Sequence, residues 1–107
     1  MQISVGRLRR DKGLSVARPT PLGNPFPLSE YGREESIARY REWFEREVRR
    51  PGKVRDRFET LLDAARNGPV TLLCWCRTVD QSEPLCHADV VAGALSRVLR
   101  AEGARRP

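Results

Sequence analysis

Val70 to Trp75 is the most apolar run in the chain, and Asn67-Gly68-Pro69 sets it off sharply from what precedes it. No charge interrupts it, and it is too short for an ordinary helix. A run of this kind reads as a strand buried on both faces, which places it centrally in a sheet with other elements covering it. That requirement organises the reading of everything else.

Ile3, Val5 and Leu8 sit among polar residues in Gln2 to Arg10, the alternation of a half-buried strand. Asp11-Lys12-Gly13 reads as a turn, and Leu14 to Arg18 as a second short strand. A hairpin of the two and an irregular continuation both fit. Pro19 to Pro27 holds four prolines in nine residues, which makes a rigid loop centred on Gly23-Asn24-Pro25-Phe26.

Helical spacing follows. A first helix is expected from about Gly32 or Arg33, with Ile37, Tyr40, Phe44 and Val48 as its apolar stripe and Trp43 beside it. Its outer face offers ion pairs such as Glu42 with Arg46. Pro51-Gly52 ends it. A second helix is expected from Lys53 to Arg66, on Val54, Phe58, Leu61, Leu62 and Ala65. A third runs from about Cys86 to Arg100 on Val91, Ala94, Leu95 and Val98, with Gly103 as its stop. The order β-β-α-α-β-α predicts an α/β or α+β fold, a small sheet covered by three helices. At 107 residues the expectation is a single compact domain over 1–103, with a frayed tail at 104–107.

The hydrophobic share of 39% and charged share of 32% are those of a globular chain. No apolar run approaches the roughly 20 residues of a membrane span. The first ten residues lack the apolar core of a secretion signal, so the expected setting is cytoplasmic, with no membrane partner. The net charge of +6 is unevenly spread. Arg7, Arg9, Arg10, Lys12 and Arg18 face only Asp11 in the first twenty residues, while residues 21–85 balance. A basic arm of this kind suits phosphate-bearing partners, and it equally serves solubility.

Three cysteines are an odd number, and in a reducing compartment clustered Cys and His point to metal or thiol chemistry. Cys74 and Cys76 would share one side of a strand end. Cys86 and His87 follow after nine residues, at the expected start of a helix. Together they make a Cys₃His set, a familiar complement for zinc. Their C-x-C and C-H spacing is not the usual C-x₂-C. A second reading makes Cys86 a reactive thiol, lowered by the helix N-terminus, with His87 as proton donor or acceptor. A third reading is plain packing, since free cysteines are often buried.

The proline loop is the other candidate. Gly23 allows close approach of a ligand, Asn24 offers a donor and an acceptor, and Arg18 would hold a phosphate or carboxylate. Phe26 either contributes to that site or anchors the loop to the core. Trp43 and Trp75 read as core residues, or as stacking platforms for a base if exposed.

Arg18-Pro19, Gly23 to Phe26, Tyr40 with Trp43, Cys74 to Cys76 and Cys86-His87 occur in an order that resembles the domain of unknown function 4326 family, small proteins of bacteria and their phages. The resemblance spans about residues 3–99. Two departures are visible: a long segment between Cys76 and Cys86, and Ala88 where the family often has Gly. The resemblance implies one intact small domain with a shared site, and no particular activity.

Three functions therefore stay open. The first is a nucleic-acid- or nucleotide-binding module carrying a Cys/His site, with or without zinc. The second is a small enzyme acting on a nucleoside or nucleotide through Cys86 and His87. The third is a phage or bacterial factor that works by binding another protein.

Overall fold

The computed structural model describes residues 3–7, 12–17, 20–26, 28–74 and 87–104. Its elements are β1 (Ile3–Arg7), β2 (Leu14–Ser15), α1 (Leu28–Glu47), α2 (Lys53–Asn67), β3 (Val70–Cys74) and α3 (His87–Ala104). This is the α/β fold and the element order expected from the sequence.

The apolar strand β3 is central, with β1 on one side and β2 on the other, both parallel to it. The hairpin that Asp11-Lys12-Gly13 suggested is not formed. A hairpin needs antiparallel neighbours, whereas β1 and β2 point the same way with β3 between them. Gly13 has a different task. A Cβ there would lie 2.2 Å from the Thr71 carbonyl oxygen, so the missing side chain lets the start of β2 come close to β3.

The register fixes the faces. Ile3 lies level with Val70, and both Val5 and Leu14 with Leu72, which gives one apolar face packed on the helical core. On the other face Ser4 and Thr71 share a hydroxyl hydrogen bond of 3.1 Å. Leu72 and Leu73 are both buried, so β3 is covered on both faces there, while Thr71 is only half-buried.

The helical stripe of α1 starts just after Gly32, as expected, but one more turn precedes it. Gly32 breaks the helix with φ 77° and ψ 165°, a left-handed conformation that glycine adopts without a side-chain clash. Ile37, Tyr40 and Phe44 are buried beyond it. The expected Glu42 pair with Arg46 is absent; Arg46 instead lies 3.7 Å from Glu47, and the i,i+4 pair that forms is Arg39 with Glu35. In α2, Phe58, Leu61, Leu62 and Ala65 are buried as the spacing predicts. The third helix continues through Gly103 to Ala104, a turn beyond its expected end. Arg66 of α2 holds Glu102 through two hydrogen bonds of 3.1 and 2.5 Å, which secures that last turn. The same bonds raise the Arg66 guanidinium above its ordinary range.

Aromatic rings join the helices. Tyr40 stacks on Phe44 at 5.9 Å, and Phe44 meets Phe58 of α2 edge-on at 5.6 Å. Leu61, Leu72, Val91 and Leu95 fill the space between helices and sheet with no exposed surface. Each such side chain contributes roughly 1.5–3 kcal/mol through burial. Among the described residues, no helix is long and apolar enough to cross a membrane.

Candidate functional site

In a parallel sheet all strands end on the same side, and the segments that follow them gather there. Three strand ends lie there. The chain leaves β1 after Arg7, β2 passes into the proline loop, and β3 ends at Cys74, level with Arg7. The start of α3 joins them. His87 is 4% exposed, and its Nε2–H donates to the Val16 carbonyl at 2.7 Å. A carbonyl can only accept, so Nε2 carries the proton, and in the neutral ring Nδ1 is the acceptor nitrogen. The Val16 N–H in turn donates to the Leu73 carbonyl at 2.9 Å, continuing the β2 ladder. His87 therefore ties the first residue of α3 to the carboxyl ends of β2 and β3. Its ring also sits edge-on to Tyr40 at 5.2 Å.

The proline loop is built by successive turns and then pinned to α1. The Thr20 and Gly23 N–H groups donate to the Ala17 and Thr20 carbonyls, each at 2.9 Å. The Tyr40 hydroxyl donates to the Leu22 carbonyl at 2.8 Å. Asn24 accepts from the Phe26 N–H through Oδ1 at 2.9 Å and donates through Nδ2 to Ser36 Oγ at 2.8 Å. Ser36 Oγ donates onward to the Phe26 carbonyl at 2.6 Å. Asn24 thus uses both ends of its amide to shape the loop, and Gly23 is buried within it. The backbone of Phe26 is held at its N–H and its C=O. Its ring is only half-buried, meeting Tyr31 edge-on at 6.0 Å.

Residues that the sequence did not single out do much of this work. Ser36 is fully buried and bridges two segments. Its signal was a hydroxyl inside an apolar stripe, which demands a partner. Tyr40 was legible as core, but its hydroxyl contact was not. Arg57 reaches from α2 to donate to the Ser15 carbonyl at 2.9 Å, capping the short edge strand β2.

Of the sequence-derived site residues, Gly23, Asn24, Phe26 and His87 are brought to one side of the molecule. Cys74 contributes the end of β3 there; its side chain, together with Arg18, Cys76 and Cys86, lies outside the described residues. Among the described residues, no three His, Cys, Asp or Glu side chains gather as a metal-holding group.

Beside the loop lies a groove of about 250 Å³ lined by Phe26, Arg39, Glu42, Trp43 and Arg46. Trp43 is half-buried, with Tyr40 packed against it at 5.5 Å. This side of α1 combines aromatic surface with two guanidinium groups, a pairing suited to planar, anionic ligands.

Comparison with curated proteins and with solved structures returned no match. The family described as "Domain of unknown function (DUF4326)" matches residues 2–97. That span takes in the strands, the pinned loop, the helices and the start of α3, and the chain belongs to this family.

Proposed function

We propose that the chain is a nucleotide- or nucleic-acid-binding module whose ligand face is the carboxyl edge of its parallel sheet. The observation that carries this is the hydrogen bond from His87 to the Val16 carbonyl, which holds the start of α3 against the residues leaving β2 at that edge. Ligands of open α/β sheets bind in the crevice beyond the strand ends. The basic arm supports the same face by connectivity. Arg9 and Arg10 follow β1 in the sequence and Arg18 follows β2, whereas Lys12 leads into β2 at the opposite end of the sheet.

The experiment is a titration of labelled single-stranded oligonucleotides and of mononucleotides, read by anisotropy from low to moderate salt. Binding is expected to weaken steeply with salt, with a log–log slope of about −0.7 per phosphate contacted on a single strand. No binding at low salt removes the proposal.

The same edge is where a Cys/His site would form. Cys74 closes β3, Cys76 follows two residues on, and Cys86 immediately precedes His87 and α3. Zinc held by Cys74, Cys76, Cys86 and His87 would close the edge of a small domain with a tetrahedral clasp. Elemental analysis of protein purified without chelator is expected to return about one zinc per chain, with melting shifted down on chelation. A metal-free protein whose Cys86 alkylates quickly at neutral pH would instead favour a small enzyme acting on a nucleoside or nucleotide. Support for that second reading is the position of Cys86 just before the N-terminus of α3, where a thiolate is stabilised.

A further inference from the structure

We infer that the groove between the proline loop and α1 takes a single unpaired nucleobase that bears an exocyclic amino group, with Arg46 on the adjoining phosphate. This rests on the nucleic-acid reading above and assigns it a subsite that shares only Phe26 with the loop motif and nothing with the Cys/His set.

Four observations converge. The groove is of a size for one base and is open along α1. Its aromatic members are fixed in advance. Phe26 is held by hydrogen bonds at both its N–H and its C=O, and Trp43 is backed by Tyr40. Both rings are half-buried, so part of each packs on the core and part borders the groove. A base laid there stacks without any sequence-specific contact, and little ordering is needed to receive it.

The charged members divide the remaining work. Arg39 is committed: it donates to Glu35 at 2.6 Å and lies 4.7 Å over the Tyr31 ring, forming one wall. Arg46 has a side chain 61% exposed, and its nearest carboxylate, Glu47, is 3.7 Å away, too long for a good hydrogen bond. It can turn to a phosphate at little cost. Glu42 has no hydrogen bond or ion pair among the described residues. An ionised carboxylate only accepts hydrogen bonds. Beside a stacked base it therefore welcomes the amino group of cytosine or adenine and opposes the carbonyl of thymine or uracil.

The test compares fluorescein-labelled oligodeoxycytidine and oligothymidine of equal length by anisotropy, with the full chain and with three variants. The unmodified chain is expected to prefer oligodeoxycytidine by about 5-fold or more. Glu42→Ala removes that preference. Arg46→Ala lowers the magnitude of the salt slope by about 0.7 for both oligomers. Trp43→Ala weakens both by about 5- to 100-fold. Because Trp43 also touches the core, Glu42→Ala and Arg46→Ala, both on the exposed face, decide the matter if that variant folds poorly. Salt-dependent binding with no base preference, and unchanged in those two variants, would overturn the base subsite while leaving the binding module intact. No binding by the unmodified chain would remove both.

Discussion

Two halves of the molecule meet along α1 and are held there by different means. In the polar half, the proline loop is held on α1 through directed contacts: Asn24 and Phe26 to Ser36, and Leu22 to Tyr40. In the apolar half, Phe44 and, just past the end of α1, Val48 join Phe58 of α2 and Ala94 and Val98 of α3 in one apolar cluster, with the Phe44 and Phe58 rings edge-on. Each half borders an opening. Beside the first is the Phe26–Trp43 groove, and beside the second a cleft of about 310 Å³ lined also by Glu45, Arg49 and Arg97. Apolar packing is tolerant of direction and supplies most of the stability. Hydrogen bonds are directional and supply a fixed loop geometry. A face that must present backbone and side chains to a ligand needs the second kind.

Truncation in the apolar half should have the largest effect on stability. Leu61 is fully buried, and Leu61→Ala is expected to lower the unfolding free energy by about 2–5 kcal/mol. Denaturant unfolding measures this, and the variant that remains folded should still bind oligonucleotide. A change of binding without a change of stability would break the division between the halves.

In the polar half the cost is smaller and the consequence different. Ser36→Ala strands the Phe26 carbonyl and one Asn24 donor, at about 1–3 kcal/mol. Limited proteolysis within residues 20–26 should accelerate, and oligonucleotide affinity should fall. Tyr40→Phe keeps the ring contacts with Trp43, Phe44 and His87 but leaves the Leu22 carbonyl without its hydroxyl donor. The expected loss is about 1 kcal/mol, again with a looser loop. Unfolding curves and proteolysis of these two variants sharpen the comparison. A rigid loop in both would show that the prolines alone hold it.

How legible each half was in the sequence follows from the same physics. Ile37, Tyr40 and Phe44, or Phe58, Leu61, Leu62 and Ala65, announce a buried face by recurring at helical steps, and β3 announces itself by apolar run and flanking Gly-Pro. Loop pinning leaves no periodic trace, because Asn24 and Ser36 are 12 residues apart and His87 and Val16 are 71 apart. The sheet order was ambiguous for a related reason. A short strand, a turn-like Asp11-Lys12-Gly13 and a second short strand look locally like a hairpin. Only the pull of β3 into the centre sends them to opposite edges. Gly13 reads in sequence as part of a turn, while its structural value is the room it leaves for Thr71. At the candidate site, Gly23, Asn24, Phe26 and His87 were all named from the sequence, but the role of Asn24 was not. It reads as a ligand contact in isolation and is a loop brace in the fold.

The central claim is that ligand meets the polar half of the molecule. Backbone amide NMR of the full chain, titrated with a short single-stranded oligodeoxycytidine at low salt, tests it most directly. Shifts are expected to concentrate at residues 20–26, 36–43, 46 and 87–89, in the pinned loop, the face of α1 beside it and the start of α3. Shifts centred instead on Val48, Arg49, Arg97 and Val98, with the loop unmoved, would contradict it and transfer the binding face to the cleft between the three helices.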